Sequence, residues 1–562
     1  MEQNKSIGTL PEGWIWTTLD SIAANITDGS HNPPSKQNQG IPMLSARNIE
    51  NGKISFDEVR FISENEFEYE NQRTRIEAGD VLLTIVATIG RSAIVPRPLK
   101  QQFALQRSVA VIKPLINGQY LTYVFQGPVF QKLLIDNAKG TAQKGVYLKT
   151  LRELSIPLPP LEEQHRIVAR IEELFSELDH AEDELKKAQK RLEIYKQALL
   201  KSAFDGKLTE KWREENLEYD AIDQLKKIKG ERNFSSLALN NRLSTRISFR
   251  RSPIISTWAS ATLENLIGIY ARIGWRGLTK DEYTENGPLF LSVYSLNYGK
   301  TVVFHQANHI SIERYDESPE IKLQLNDILL CKDGAGIGKV GIVKHLPDKA
   351  TVNSSLLVIR SFEAFVPDFL YYLFLGPSMQ KLVAEKISGS AIPHLFQKDI
   401  KQFTLQVPPF EEQQQIVQEL ESHFALTNEL ESAIEKGLFK IKVFRQAVLK
   451  KAFDGRLQPQ FPHEEPANKL LQTIHIEKEN YLLEQKAVER QKPRKDKPME
   501  TNKSILEVLQ DVDGPISAKD VWLSSKYKDN IDDFYKELKE IFNVIKESKN
   551  LISSESFISL KK

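Results

Sequence analysis

A long heptad-patterned stretch that occurs twice limits what this chain can fold into. From Pro159 to Leu208, apolar or small residues recur at alternating intervals of four and three, which is the pattern of a coiled-coil seam. The seam positions are Ile167, Ile171, Leu174, Leu178, Ala181, Leu185, Ala188, Leu192, Tyr195, Leu199 and Ser202. Pro160 suits the first turn of a helix, and Gly206 suits its end. The sequence predicts one helix of about 45 residues and about 65–70 Å.

The same stretch returns 249 residues later. Pro159-Pro160 match Pro408-Pro409, and AFDGKL at 203–208 matches AFDGRL at 452–457. The repeat extends upstream, where Gly127-Pro128 match Gly376-Pro377 and short β-rich runs recur with small gaps. Each half is therefore predicted as a mixed α/β unit of about 150 residues followed by a long helix.

These patterns predict seven segments. They are a first globular domain (1–158), a first long helix (159–208), a basic linker (209–251), a second globular domain (252–407), a second long helix (408–457), a charged, Pro-rich extension (458–500) and a small helical domain (501–562). In the extension we expect a helix near 466–489. In the last segment, helical patterns at 503–511, 517–525 and 530–546 precede a hairpin pattern in 551–560, and a winged-helix domain is one interpretation.

Two long helices of equal length most simply pair with each other. An antiparallel pair gives approximate two-fold symmetry and would hold two globular domains at a fixed separation, which suits a reader of a bipartite target such as DNA. The second seam is more polar, with His423, Thr427, Gly437 and Lys451 where the first has Leu174, Leu178, Ala188 and Ser202. Such residues either fix the register of the pair or face a partner protein.

Composition excludes several classes of protein. The net charge of +1 gives no global basic field, so a nucleic-acid surface must be local. Cys331 is the single cysteine, which excludes disulfides. The start has no apolar signal core and no run is long enough to span a membrane, so we expect a cytoplasmic protein without a membrane partner. The basic part of the linker, 221–251, is either a solvated connection or a segment that follows phosphates.

The motifs of the repeats match a known family. LPEGWIWTTLDSIA near the start, two P-P-x-E-E-Q-x-x-I-V helix openings and two AFDG-[KR]-L helix ends make residues 1–457 resemble the specificity subunit of Type I restriction–modification systems. The resemblance implies that each globular domain is a target recognition domain. It also implies that the helices are spacers that dock two methyltransferase (M) subunits, to which restriction/translocase (R) subunits add. The family has no catalytic residues or cofactor of its own, and the segment after 458 goes beyond its pattern.

Two motifs that suggest enzyme chemistry are incomplete. Asn32-Pro33-Pro34-Ser35 lacks the aromatic residue of the amino-methyltransferase motif N-P-P-aromatic, and too few residues precede it for a cofactor-binding sheet; we interpret it as a DNA-facing loop or a surface turn. Gly336–Gly341 fits G-x-G-x-x-G, but strand-like residues follow it where a dinucleotide loop must open a helix, so a hairpin turn is predicted. The ten histidines lack metal-ligand spacing, and no metal is expected.

Candidate DNA-contacting residues are polar and basic side chains in predicted loops, where base edges and phosphates can be met. In the first globular domain they are Ser30, His31, Lys36, Arg47, Asn48, Arg91, Gln106, Arg107, Lys139, Thr141, Gln143 and Lys144. In the second they are Arg272, Trp275, Arg276, Tyr294, Asn297, Tyr298, Lys332, Asn353, Ser354, Ser388, Ser390 and His394. For each of them a solvated loop side chain is the alternative.

The resemblance, together with the two different globular repeats, therefore implies a non-catalytic subunit that binds double-stranded DNA at an asymmetric bipartite site. Residues 1–158 carry 17 Lys and Arg against 15 Asp and Glu, so we expect modest DNA affinity without partner subunits. The alternative is a two-headed coiled-coil adaptor that binds proteins and not DNA. A methyltransferase acting alone is a third hypothesis, and it predicts that the isolated chain binds a methyl donor.

Overall fold

The computed structural model describes residues 9–50, 52–140, 143–236, 249–272, 278–361, 363–387, 394–491, 503–512, 514–527, 530–549 and 556–560. Contacts divide the chain into two units, which are described separately. The first unit comprises 1–171 and 448–562, and the second comprises 172–447. The boundary between the units crosses both long helices.

The described residues form strands with the following bounds: β1 (Ile15–Thr18), β2 (Ala23–Asp28), β3 (Ile41–Leu44), β4 (Ile49–Glu50), β5 (Lys53–Ile54), β6 (Arg60–Ile62), β7 (Val81–Thr84), β8 (Ser92–Ile94), β9 (Ala104–Leu105), β10 (Val109–Pro114), β11 (Ser155–Leu158), β12 (Arg250–Arg251), β13 (Ala259–Thr262), β14 (Ile267–Tyr270), β15 (Tyr283–Leu291), β16 (Asn308–Ile310), β17 (Ile328–Cys331), β18 (Val340–Ile342), β19 (Ala350–Val352), β20 (Leu356–Ser361), β21 (Thr404–Val407), β22 (Ile516–Ser517), β23 (Ile545–Lys549) and β24 (Ser556–Leu560).

The α-helices have the following bounds: α1 (Glu64–Thr74), α2 (Gly118–Gln126), α3 (Pro128–Asp136), α4 (Leu148–Glu153), α5 (Leu161–Phe204), α6 (Glu210–Glu215), α7 (Ala221–Ser236), α8 (Ile312–Asp316), α9 (Pro367–Leu375), α10 (Pro377–Ile387), α11 (Gln397–Lys401), α12 (Phe410–Phe453), α13 (Ala467–Gln491), α14 (Ile505–Gln510), α15 (Ala518–Ser524) and α16 (Ile531–Glu540).

The two globular domains repeat one topology. The first has an antiparallel sheet of order β2-β10-β7-β8 and a smaller sheet of order β6-β3-β9, in which β3 and β9 are parallel. The second has sheets of order β14-β20-β17-β18 and β16-β15-β19, with β15 and β19 parallel. The central strands are continuous apolar runs, VLLT in β7 and ILLC in β17, and are buried throughout, as such runs predict. The predicted α/β repeat is confirmed.

Each domain carries a pair of helices broken at a glycine. The sequence predicts one helix over 119–135, but α2 ends at Gln126 and α3 begins at Pro128. Gly127 between them is extended, because Pro128 has no N–H to continue the first helix and suits the first turn of the next. The equivalent break in the second domain is at Gly376, before Pro377.

The predicted long helices are present, and they are α5 and α12. Each has 44 residues, or about 66 Å. Within the second unit, residues 172–204 of α5 pack antiparallel against 410–447 of α12. Lys196 Nζ lies 2.6 Å from a Glu431 carboxylate oxygen, and Arg445 contacts Asp179 and lies over the Phe175 ring. The predicted antiparallel pairing is confirmed by these contacts.

The polar positions of the second seam have separate roles. Thr427 is buried, and a Cβ at Gly437 would lie 2.9 Å from Leu185 Cδ1, so the small residue allows close approach of the helices. His423 Nδ1 is 3.0 Å from the Tyr195 hydroxyl. Lys451, in the first unit, is exposed. Gly437 and His423 thus contact the first long helix, and Thr427 is buried. The two interpretations of these positions, register and partner contact, stay predictions.

The C-terminal end of each long helix docks on a globular domain from the other half of the sequence. A Cβ at Gly127 would lie 2.8 Å from Phe453 Cδ2, and Phe453 packs edge-on against Tyr120. In the second unit, Phe204 makes the same contacts with Gly376 and Phe369. Each domain is therefore completed by the end of the helix that it does not precede.

A buried glutamate in the first turn of each long helix ties together three segments. Glu163 accepts hydrogen bonds from Trp14 Nε1 (2.8 Å) and Gln460 Nε2 (3.2 Å). Burial raises the pKa of Glu163, although these two donors oppose the shift. Glu412 accepts from Trp258 Nε1 (2.7 Å), from the Thr209 hydroxyl (2.7 Å) and from the Arg213 guanidinium (2.9 Å). The second junction thus has an ion pair where the first has a neutral amide.

The described residues between 503 and 560 form a small domain with three helices and three strands. Helices and strands alternate as α14, β22, α15, α16, β23 and β24, and the sheet order is β22-β24-β23. This order of elements is that of a winged-helix domain. The hairpin starts before its predicted range of 551–560, since α16 ends at Glu540 and β23 already occupies 545–549. Ile505, Val521, Phe534 and Leu538 lie in its core.

Candidate nucleic-acid interface

Ser30 lies where the first globular domain brings two candidate loops together. Its N–H donates to Leu105 O (2.7 Å), and its own O accepts from Arg107 N–H (2.9 Å). Gln106 N–H donates to Leu44 O at the end of β3 (2.9 Å), and Arg47 follows in the turn after β3, exposed. The ends of β2, β3 and β9 therefore place Ser30, Arg47, Gln106 and Arg107 at one edge of the domain.

An ion cluster supports this edge. The Asp28 side chain is 9% exposed, contacts Arg73 of α1 and accepts from His31 Nε2 at 2.8 Å. The Ser30 hydroxyl donates to Glu70 of the same helix (2.8 Å). Asp28, Glu70 and Arg73 were not predicted, because Arg73 and Asp28 are 45 residues apart and no local motif joins them. Arg73 and His31 remain about half exposed, so the cluster presents a cation to solvent.

Asn48, a predicted DNA contact, has its side-chain amide hydrogen-bonded within the fold. It is buried, its Nδ2 donates to Asp57 O (3.0 Å), and its Oδ1 accepts from Ser45 N–H (3.0 Å). These bonds cap the turn that exposes Arg47. The structure thus gives Asn48 a supporting position behind Arg47.

The remaining candidates of the first domain are in surface loops. Lys36 and His31 are in the exposed stretch that contains Asn32-Pro33-Pro34-Ser35, where Pro34 O accepts from Arg60 Nη1 (2.9 Å). Arg91 is half-buried and lies 3.6 Å from the Glu50 carboxylate. Two main-chain hydrogen bonds of 2.8 Å between Lys139 and Gly145 close a loop on which Lys139, Gln143 and Lys144 are exposed. Thr141 is outside the described residues.

The second domain uses the same backbone frame with different side chains. Asn353 N–H donates to Leu291 O at 2.9 Å, as Gln106 does to Leu44. Shifting by 247, Tyr294 takes the place of Arg47 and Ser354 that of Arg107; both are exposed. Lys339 replaces Arg91 at the end of the hairpin, where its O accepts from Cys331 N–H as Arg91 O does from Thr84.

Other candidates of the second domain bond to one another or to neighbours. Lys332 Nζ lies 2.8 Å from the Asp333 carboxylate, which also contacts His394. Lys339 Nζ donates to Asn297 Oδ1 (2.6 Å), and Gln306 Nε2 donates to the Tyr298 hydroxyl (2.7 Å). Trp275, Arg276, Ser388 and Ser390 lie outside the described residues.

Arg272 is half-buried with unsatisfied donors. Its Nε and one terminal nitrogen have no hydrogen-bond partner among the described residues, and its guanidinium lies 5.6 Å from the Phe290 ring centroid. Burial and the nearby charge of Arg314 lower the pKa of Arg272. Buried donors in folded proteins are almost always paired, so Arg272 is the candidate of this domain that most needs an external acceptor.

Of the two motifs that suggested enzyme chemistry, Asn32-Pro33-Pro34-Ser35 is in a surface loop, and Gly336–Gly341 runs from a hairpin turn into the buried strand β18. Gly336–Gly341 lies in the hairpin between β17 and β18, which are antiparallel, so the predicted hairpin is confirmed. Over the part of the chain that the structure describes, no three His, Cys, Asp or Glu side chains are grouped to hold a metal ion. Within the same residues, none of the helices is long and apolar enough to cross a membrane.

Comparisons with known proteins agree with this architecture. The sequence model described as "Type I restriction modification DNA specificity domain" matches residues 12–189 and 273–438. The Type I restriction enzyme EcoKI specificity subunit of Escherichia coli K12 is 23% identical over 480 residues, covering 82% of this chain and 93% of that subunit. The EcoBI specificity subunit of Escherichia coli is 35% identical over 234 residues, covering 40% of this chain and about half (49%) of that subunit.

A solved chain, described in the words "Structural basis underlying complex assembly and conformational transition of the type I R-M system", has the same fold. It aligns with a TM-score of 0.55 and 19% identity, and covers 80% of this chain and 100% of its own length. The matches do not favour a coiled-coil adaptor. Since the family's sequence model matches more than half of the residues, in both repeats, this chain belongs to the family of Type I restriction–modification DNA specificity subunits.

Proposed function

We propose that this chain is the DNA-reading subunit of a Type I restriction–modification enzyme. It binds double-stranded DNA at an asymmetric bipartite site and brings M and R subunits to that site. The observation that carries the proposal is the shared frame of the two globular domains, in which equivalent edge positions hold Arg47 and Tyr294, or Gln106 and Asn353. One frame with two sets of donors and acceptors suits two different half-sites.

The edge residues divide into two kinds of contact. Arg47, Gln106 and Arg107 in the first domain, and Tyr294, Asn353 and Ser354 in the second, are candidates for base edges. Lys36, Lys139, Lys144 and Arg272 are candidates for phosphates, since lysine and arginine most often meet the backbone. The first half-site would then be read by longer, cationic side chains than the second.

The exposed apolar side chains of the paired helices are the proposed contact for M subunits. Within the second unit they are Ile194, Tyr195, Phe410, Leu426, Leu430, Phe439, Val443 and Phe444. Val443 and Phe444 are the repeat equivalents of Ile194 and Tyr195, so one subunit on each equivalent pair would give two copies. Contiguous exposed apolar side chains mark protein contacts. The R subunits would add to this core, the chemistry would belong to the partners, and the complex would work in the cytoplasm.

A binding selection tests the function. The full chain, assembled with its M subunits, is incubated with random duplexes, and bound sequences are enriched and read. We expect two short motifs at a constant gap, with affinity that falls steeply with salt because several phosphates are contacted. Co-assembly with M subunits without any sequence preference would contradict the proposal and would favour the protein-binding adaptor instead.

The docking surface has its own test. A Val443→Asp/Phe444→Asp double variant should reduce recovery of M subunits in a pull-down, while Glu435→Ala on the same helix should not. Unchanged recovery with the double variant would remove this face from the proposal.

A further inference from the structure

The extension after the second long helix packs on the first globular domain. At the start of α13, Ala467 N–H donates to Gly13 O (3.0 Å), and Ala467 and Ile474 are 0% and 1% exposed. The helix crosses the 3-10 turn Asp20–Ile22 and strand β2, the strand that leads to Ser30. Residues 467–491 are therefore part of this domain's surface layer.

Helix α7 is the equivalent helix on the second domain. Ala221 N–H donates to Thr257 O (3.0 Å), and Ala221, Ile222 and Leu225 are buried. The internal repeat thus continues past residue 457, although the two helices share little sequence. They differ in length, because α7 has 16 residues and α13 has 25.

The middle of α13 bonds to a carboxylate that also supports β2. Lys478 Nζ lies 3.0 Å from Asp20 Oδ2, and Arg152 Nη1 donates to Asp20 Oδ1 at 2.6 Å while its other terminal nitrogen donates to Ile26 O in β2. Partial burial of Asp20 opposes ionisation, but Lys478 and Arg152 outweigh it and lower the pKa of Asp20. In the second domain the equivalent residue, Glu264, is exposed.

The far end of α13 reaches the helix that holds the ion cluster at Ser30. Gln485 Oε1 accepts from Arg75, whose left-handed backbone (φ +41°) ends α1. Arg75 O in turn accepts from the buried Lys113 (2.8 Å). Two residues earlier on the same helix, Arg73 contacts Asp28. Lys478 thus bonds to the 3-10 turn that precedes β2, and Gln485 bonds to the residue that ends α1. Both β2 and α1 lead to the residues around Ser30 and His31.

We propose that α13 is a brace for DNA reading, and that Lys478 and Gln485 are positioning residues that determine how sharply the first globular domain discriminates its half-site. This role rests on the proposed function and extends it to the helix after residue 457, where the family resemblance of residues 1–457 ends. It assigns no DNA contact to α13 itself. Loss of the brace would let β2 and α1 shift. Because Ser30 is hydrogen-bonded through its main chain to Leu105 and Arg107, the shift would move the candidate base contacts Gln106 and Arg107.

The test uses the full chain assembled with its M subunits and the duplex found in the binding selection. Lys478→Met/Gln485→Ala removes both bonds, and the change at 478 keeps most of the volume of the lysine side chain. We expect discrimination against single mismatches in the first half-site to fall about tenfold. A tenfold loss is a part of the affinity that one mismatched base pair usually costs. Discrimination at the second half-site should not change. The single change Lys478→Arg keeps a cation beside Asp20 and should retain the discrimination that Lys478→Met loses. Lys486→Ala, at an exposed position of the same helix, should have no effect.

Hydrogen exchange supplies a measurement that a general loss of stability would not imitate. In the double variant, amides of β2 and α1 should exchange faster, while those of β14 in the same chain keep their rates. Should the double variant fail to assemble, Gln485→Ala alone removes one hydrogen bond and is measured in the same way. Equal relaxation of both half-sites, or none in either, would overturn the brace. If the unmodified chain selects no bipartite site, the proposed function fails instead.

Discussion

In the first globular domain Gln106 is held by its main-chain bond to Leu44, and in the second Asn353 is held by the same bond to Leu291. Beneath them each domain buries an ion pair in the same place, Lys113 with Asp80 and Arg360 with Asp327. At the edge the side chains diverge, with arginine at 47 and 107 but tyrosine at 294 and serine at 354. The frame is therefore built from buried bonds, and the side chains at the edge can differ without altering it.

The largest expected difference between the halves is at the helix junctions. Glu412→Ala should destabilise the second unit by about 3–5 kcal/mol, because Arg213 stays largely buried without its partner. Glu163→Ala should cost the first unit only about 1–3 kcal/mol, since its hydrogen-bond donors are neutral. Urea unfolding measures both, with exposed Glu435→Ala as the control. Equal costs would show that Arg213 does not distinguish the junctions.

A smaller difference concerns acid stability. Lys300 bonds Asp368 and Glu421, which ties the second domain to α12, and Lys344 also bonds Asp368. In the first domain the position equivalent to Asp368 is Gln119, which carries no charge. Burial opposes ionisation of Asp368, but the two lysines outweigh it and lower its pKa from 3.8.

The sign of the pH dependence follows. Because the folded-state pKa is lowered, the contribution is complete above 3.8 and is lost as pH falls through the folded-state value. Asp368→Asn should destabilise the second unit by about 2–3 kcal/mol at pH 6, and the deficit should shrink towards zero well below pH 3.8. Urea unfolding against pH measures it, with exposed Asp281→Asn as the control. A deficit that is constant with pH would contradict the assignment.

The smallest expected effect is at the reading edge. Arg47→Ala should reduce preference at one position of the first half-site by about 1–2 kcal/mol, and Tyr294→Ala should act only on the second. Competition between the selected duplex and singly substituted duplexes measures both. If either variant changed the opposite half-site, the edge residues would not be independent readers.

The sequence predicted the long helices well because their heptads repeat over 44 residues and their ends carry Pro and Gly signals. It predicted the central strands because their apolar runs are unbroken. It did not predict that the repeat reaches α13, since packing there depends on single small residues, Ala221 and Ala467, at equivalent contacts. A hydrophobic period can be detected only where several residues of one helix face are buried. A single buried alanine does not produce such a period.

The structure places Ser30, Arg47, Gln106 and Arg107 at one edge of the first domain, because loops that end neighbouring strands meet. Their contact with DNA stays a prediction. The cluster of Asp28 with Arg73 could not be predicted, since it joins a strand to a helix through side chains alone. Asn48 was predicted to contact DNA because the amide groups that cap a turn are the same groups that can recognise a base.

The docking of Phe453 at Gly127 and of Phe204 at Gly376 has a consequence for synthesis on the ribosome. Phe204 is made before the domain that it completes, so the second domain can fold against a finished helix end. Phe453 is made 326 residues after Gly127, which at common translation speeds is a delay of roughly 15–65 s. Throughout that interval Gly127 and Tyr120 lack the ring that covers them in the finished fold, so the nascent first domain stays incomplete until the second long helix has been made.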